Sequence, residues 1–414
     1  MKRPPPLYSL AKTCIVALHS TREQKNMNWD FDRQIERRGT DSYKWDANDR
    51  LFGKRDLLPF WVADMDFATP EPVLDAIRDR CKHPVFGYGI RSEEYFRSIQ
   101  DWLRERHQWE VPREWLMFCP PSSIVGIYGV ISILTRPDQS IAAPVPTYGP
   151  LLGLIEKNGR RLIRNPLREE NGRFTLDTND LAAKLAADTN MVVFCSPHNP
   201  TGRVFSRDEL ESVANLAEEK NLLVISDEVH CDLVLPGHRH IPYGSIGGER
   251  SVTVISPNKT FNTAGIPQAT LIIPDPGLRS RYQDYLDMMQ LNHDSTFGAE
   301  GMIAGYRHCA DWLDALIAYI AANHQFVADF LEENVPMVRK IKAEATYLGW
   351  LDFRQTGLSQ DEIMDRLVNI GGVGLYGGRE FGLQGEAFFR MNLGCPRSRL
   401  EQGLQGIQKA LTAS

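Results

Sequence analysis

The chain has 414 residues, with 47 Lys and Arg against 53 Asp and Glu, giving a formal net charge of −6. Apolar residues make up 42% and charged residues 24%, ordinary proportions for a globular protein of two or three domains. The acidic balance excludes a nucleic-acid binder built on a phosphate-neutralising basic face, and no polybasic patch offers itself to an anionic membrane.

Residues 1–27 read as a disordered extension. Lys2 and Arg3 precede a semi-apolar run at 7–18, but Lys12 interrupts it and no A-x-A cleavage site follows, so no signal peptide is expected. No stretch approaches the ~20 apolar residues of a membrane span. The seven cysteines are scattered, odd in number and without C-x-x-C spacing. They predict neither a zinc ribbon nor a disulfide framework, and fit a reducing, cytoplasmic setting.

Between about 115 and 275, short apolar runs alternate with amphipathic ones. That is the α/β pattern of a mostly parallel central sheet with helices on both faces. Strands are predicted at 191–195, 222–226 and 252–255. A helix is predicted after the first, with Ser206 as N-cap, Glu209 completing a capping box, and Phe205 and Leu210 as a hydrophobic staple. Leu210, Val213, Ala214 and Ala217 mark its apolar face. Helical sequence is expected over 299–331, followed by strands at 347–353 and 387–393 in a smaller α+β unit. Residues 372–377 match G-x-G-x-x-G, but they follow a helical pattern and open no helix, so they are read as a turn. His230, Asp232, His238 and His240 fit no standard metal spacing, and no metal is expected. Neither a G-x-S-x-G elbow nor an H-E-x-x-H motif occurs.

In open parallel sheets, ligands bind beyond the carboxyl ends of the strands. The polar residues just past the three predicted strands are Asn199, Asp227 and Lys259. Each has an ordinary explanation alone: Asn199 a turn residue in N-P-T-G, Asp227 a helix or turn cap, Lys259 a solvated loop lysine. Together they offer a Schiff-base lysine, a carboxylate for a pyridine nitrogen and a donor to a ring hydroxyl, the needs of pyridoxal phosphate chemistry.

The motifs S-P-H-N-P-T-G (196–202), S-D-E-V-H (226–230) and S-P-N-K-T-F-N (256–262), in this order and spacing, resemble the fold-type I pyridoxal-phosphate enzymes of the aminotransferase class I/II superfamily. Several flanking stretches narrow the resemblance to the carbon–sulfur lyase branch, the cystathionine β-lyase or cysteine desulfhydrase group. They are R-G-T-D-S-Y-K-W-D (38–46), L-P-F-W-V-A-D-M-D-F (58–67), F-G-Y-G (86–89), G-H-R-H-I-P-Y (237–243) and F-F-R-M-N-L-G-C-P-R-S (388–398). The similarity runs from about residue 28 to the end of the chain. It implies an N-terminal arm (28–60) belonging to a small domain, a large cofactor domain (61–298) and a C-terminal small domain (299–414).

The resemblance also implies roles. Lys259 would link to pyridoxal 5'-phosphate and shuttle the Cα proton, Asp227 would pair with the pyridine nitrogen, and Asn199 would contact the ring oxygen and the substrate carboxylate. Tyr148 would stack on the ring, His230 would neighbour its oxygen, and Ser122, Ser123 and Ser256 would hold the phosphate. Arg390 would take the α-carboxylate of a small amino-acid substrate. Tyr88 would reach the phosphate of a neighbouring subunit, which implies a homodimer with active sites near the subunit interface. Three positions depart from the pattern: Ser122 replaces a glycine in the phosphate loop, Pro267 replaces the arginine many aminotransferases carry eight residues past the lysine, and Tyr376 replaces a smaller polar residue. The expected activity is a β-lyase acting on L-cystathionine, L-cysteine or a related cysteine conjugate. An aminotransferase is the alternative, and a weakly catalytic regulatory protein on the same fold a more distant one.

Overall fold

The computed structural model describes residues 29–413 except 120 and 294; the expectation for residues 1–27 lies outside them. Seven strands form the main sheet: β1 (Leu116–Phe118), β2 (Ser140–Val145), β3 (Arg161–Pro166), β4 (Met191–Cys195), β5 (Leu223–Asp227), β6 (Ser251–Ile255) and β7 (Thr270–Ile272). Their order is β1-β7-β6-β5-β4-β2-β3, parallel throughout except that β7 runs against both neighbours. Strands β2, β4 and β6 are buried at every residue, which is why they read as unbroken apolar runs rather than alternating ones.

Helices α1 (Glu71–Cys81) and α2 (Glu93–His107) precede the sheet, and one face of it packs on α3 (Ser123–Leu134) and α6 (Pro276–Met288), through Ile127, Val130, Ile131, Tyr282 and Leu286. The other packs on α4 (Arg207–Glu219) through Leu210, Val213 and Ala217. The predicted capping box is present: Ser206 accepts from the Glu209 amide while the Glu209 carboxylate accepts from the Ser206 amide. The predicted helical stretch at 299–331 is two helices, α7 (Thr296–His308) and α8 (Ala310–Asn334). They meet at Cys309, whose backbone leaves helical geometry while the Leu313 amide still bonds to its carbonyl.

A second, four-stranded antiparallel sheet comprises β8 (Arg339–Lys340), β9 (Leu348–Asp352), β10 (Tyr376–Gly377) and β11 (Phe388–Asn392), in the order β8-β9-β11-β10. Its core also takes in Phe60. The stretch 372–377 is not the expected turn. Val373–Gly374 pairs in parallel with Leu58–Pro59, and Tyr376–Gly377 is the β10 edge. Long-range pairing, which local glycine spacing does not report, decides this segment. From Phe31 onward the chain forms one compact unit. No described helix is long and apolar enough to cross a membrane.

Candidate active site

Four parallel strands end at one edge of the main sheet, and each delivers a predicted site residue there. Asp227 is the last residue of β5, in register with Cys195 on β4 and Val254 on β6. Asn199 lies in the turn after β4. Gly202 closes that turn at φ +71°, donating its amide to the His198 carbonyl. A Cβ at Gly202 would sit 2.7 Å from that of Ala343, so this turn requires glycine twice over. Lys259 rides on the one-turn helix α5 (Pro257–Thr260) that follows β6, and Tyr148 follows β2.

Burial disfavours the charged form of these groups. Asp227 is 2% exposed, and the only donor to its carboxylate among the described residues is the Val229 amide at 3.4 Å. Burial raises its pKa to about 7. Its neighbour Glu228 points away and is fully bonded by Ser226, His240 and the Tyr243 amide. Lys259 is lowered to about 8, by burial first and then by the Arg390 charge. The same causes, with Lys259 added, hold His230 near 3, so its ring is neutral. His230 Nδ1 has no partner in its buried setting.

Arg390, in the middle of β11, reaches into this site from the small sheet. Its guanidinium donates to Asn199 Oδ1 at 3.1 Å and to the Trp61 carbonyl at 2.7 Å, while its Nε has no partner. Tyr376, the departure noted in the sequence, lays its ring against the guanidinium at 5.2 Å.

The Asp227, Lys259 and His230 set fits a planar cofactor with a cationic ring nitrogen and an electrophilic carbon. A buried carboxylate without a cation is costly and is satisfied by one. Ser122 and Ser123 begin α3, where backbone N–H groups favour an anion, and neither hydroxyl has a partner among the described residues. That helix start is tightly seated, since a Cβ at Gly126 would lie 2.0 Å from Cys119 Sγ. Ser256 behaves differently: its hydroxyl caps α5, accepting from the Asn258 amide and donating to the Gln268 carbonyl. Tyr88 lies outside this set. It is 87% exposed and packs at a tilt against His293, with Val85, Phe86 and Ile90 also exposed around it.

Several residues with no role in the sequence reading surround the site. The segment 61–66 crosses it as a strap whose carbonyls are nearly all used. Lys259 Nζ and the Tyr347 hydroxyl both donate to the Ala63 carbonyl, at 2.7 and 2.8 Å. Asn392 donates to the carbonyls of Val62 and Asp64. Asp66 anchors the strap, bonded by Arg37, Lys44 and Trp45 and paired with Arg399. Two carboxylates inside the apolar run W-V-A-D-M-D-F were the available signal. Two of the four residues weighed for a metal are engaged elsewhere. Asp232 accepts from His107, Trp102 and Thr260, bracing α5 next to Lys259, and His240 pairs with Glu228.

A profile described as aminotransferase class I and II matches residues 55–407. Among curated proteins, the chain is 38% identical over 386 residues to cystathionine beta-lyase PatB of Bacillus subtilis, spanning 92% of this chain and 100% of that one. Among solved structures, a PLP-bound putative aminotransferase from Clostridium difficile superposes with a TM-score of 0.91 at 35% identity, covering 93% of this chain and 100% of that one. The PLP-bound C-S lyase from Staphylococcus hominis superposes with a TM-score of 0.87 at 29% identity, covering 93% and 99%.

Proposed function

The chain belongs to the aminotransferase class I and II family, and from that premise we propose that it is a pyridoxal 5'-phosphate-dependent carbon–sulfur β-lyase. It releases pyruvate, ammonia and a thiol from L-cystathionine, L-cysteine or a related cysteine conjugate. The observation that carries this reading is the full-length match to a protein named as a cystathionine beta-lyase. The site chemistry supports it.

Bound pyridoxal 5'-phosphate supplies the electron sink for the pair left at Cα. The chain's residues do the rest. Lys259 holds the cofactor until substrate arrives, then removes the Cα proton; its lowered pKa leaves a usable fraction of free amine near neutral pH. Asp227 would pair with the ring nitrogen and keep it protonated. Asn199 and neutral His230 would serve the ring oxygen, and Tyr148 would cover the ring. Ser122, Ser123 and the α3 N-terminus would hold the phosphate, while Ser256 braces α5. Arg390 presents a planar fork to the α-carboxylate.

The partner is a second copy of this chain. The exposed run Val85, Phe86, Tyr88 and Ile90 supports an apolar dimer contact that brings Tyr88 to the other subunit's phosphate. The six described cysteines are all free, which suits a cytoplasmic enzyme.

An aminotransferase is the second reading, favoured by the name of the Clostridium difficile structure. One assay separates them. The holoenzyme, incubated with L-cystathionine or L-cysteine and no 2-oxo acid, is expected to release pyruvate and thiol continuously. Turnover that strictly requires a 2-oxo acid overturns the lyase reading.

A further inference from the structure

The lyase reaction ends with a sulfur that leaves as a thiolate, and an alkyl thiolate is basic enough, with a thiol pKa of about 8.5, to gain from a proton as it departs. The bond that breaks is one carbon away from the Cα–H bond that Lys259 attacks. A proton donor for sulfur must therefore lie close to the Lys259 amine.

The groups around that amine differ sharply in what they can donate. His230 is held neutral, so it cannot act as a strong acid. The amide of Asn199 and the guanidinium of Arg390 do not give up protons near neutral pH. Tyr347 is different. Its side chain is 1% exposed, and its hydroxyl shares the Ala63 carbonyl with Lys259 Nζ. Its ring lies edge-on to His230, 6.2 Å between centroids. Burial raises its pKa, with the Asp64 charge adding to this and Arg390 opposing it, so the hydroxyl keeps its proton in the resting enzyme. Tyr347 immediately precedes β9, whose Leu348 is in register with Asn392 on β11, and Asn392 holds the strap that carries Ala63. Both donors are thereby fixed to one oxygen.

We propose, resting on the lyase reading, that Tyr347 is a catalytic residue that protonates the leaving sulfur. As the Cβ–S bond breaks, sulfur keeps the bonding pair and takes the hydroxyl proton, departing as a thiol. In the same step the Tyr347 oxygen takes a proton from the Lys259 ammonium, which carries the one removed from Cα, so no free phenolate forms. The net transfer moves the Cα hydrogen to sulfur, leaves both side chains as they began, and needs no outside acid.

The test is Tyr347→Phe in the holoenzyme, with three probes. L-Cystathionine has a basic alkyl thiolate to expel, a nitrophenyl thioether of cysteine has a stabilised one, and L-alanine has none. Release from cystathionine is expected to fall about 10²-fold, the low end for general acid catalysis, and release from the nitrophenyl thioether less than about threefold. The dissociation constant for L-alanine, read from cofactor absorbance, and its Cα exchange in D₂O, read by proton NMR, are expected to stay within about twofold. Equal losses on both thioethers would assign Tyr347 a structural role and overturn the proposal. No loss on either would make Lys259 the sole proton carrier and overturn it equally. Failure of the lyase reading looks different: the wild-type enzyme would exchange L-alanine yet release thiol from neither thioether, and both inferences would fall.

Discussion

Asp227 and Asp66 are both buried, at 2% exposure each, yet their surroundings are opposites. Asp66 in the strap is met by two guanidinium groups, an ammonium and an indole N–H. Burial pushes its pKa up, but Lys44, Trp45 and Arg399 outweigh it, and it settles at about 2. Asp227 on the sheet floor has one long amide contact and drifts up to about 7. A buried carboxylate that the chain itself satisfies is scaffold. One that the chain leaves short of a cation is waiting for a ligand to bring it.

That contrast divides the expected mutational effects. Lys259→Ala strikes the floor, and pyruvate release should fall by about 10⁴-fold or more, with loss of the cofactor's visible absorbance band. Its thermal unfolding should barely move. Full activity in that variant would remove Lys259 from the mechanism. Asp66→Asn strikes the scaffold instead. It leaves Lys44 and Arg399 facing one another across a neutral amide, and stability to urea should fall by about 3–5 kcal/mol. Any activity loss should come with it, through the strap. A stable but inactive Asp66→Asn enzyme would place Asp66 in the chemistry and break the comparison. Arg390→Lys lies between the two. It exchanges a fork anchored on Asn199 and Trp61 for a point charge, and kcat/KM should fall about 10²-fold, mainly through KM. A change confined to kcat would argue that Arg390 does not meet the carboxylate.

The same division explains what the sequence disclosed. Asn199 and Lys259 follow a buried strand within a few residues and Asp227 ends one, so a local apolar run and its punctuation are enough to find them. The capping box at Ser206 is equally local. Tyr347 and Asn392 matter through contacts with residues hundreds of positions away in the chain, as in the bond from Tyr347 to the Ala63 carbonyl, and Asp66 through Arg399 and partners 21 to 29 positions back. Most of the strap acts through backbone oxygens, and a carbonyl has no letter in the sequence. Residues 372–377 were misread for a related reason: their pairing partner, Leu58–Pro59, lies at the far end of the chain. The ionic anchor was half visible, since two aspartates in an apolar run demand partners, but nothing local named Lys44 or Arg399.

The smallest expected effect is also the sharpest test of the contrast, because its sign changes with the cofactor. Asp227 has a folded pKa of about 7 against an ordinary value of 3.8, so the folded cofactor-free enzyme holds this proton more tightly than the unfolded chain. The stability it contributes is therefore full below about pH 4, is lost as pH rises toward 7, and stays lost above that. Asparagine cannot ionise. Cofactor-free Asp227→Asn should match the wild type near pH 4 and exceed it by about 2 kcal/mol near pH 8, after discounting the full shift for relaxation and for the neighbouring Lys259 charge. Thermal unfolding across this pH range would show it as a rise of a few degrees. With pyridoxal 5'-phosphate bound, the order should reverse, because only the carboxylate gains the ring nitrogen's charge as a partner. Asp66→Asn admits no such reversal, since its partners belong to the chain. If cofactor-free Asp227→Asn were less stable than wild type at every pH, Asp227 would be scaffold like Asp66, and the floor would have to find its cofactor partner elsewhere.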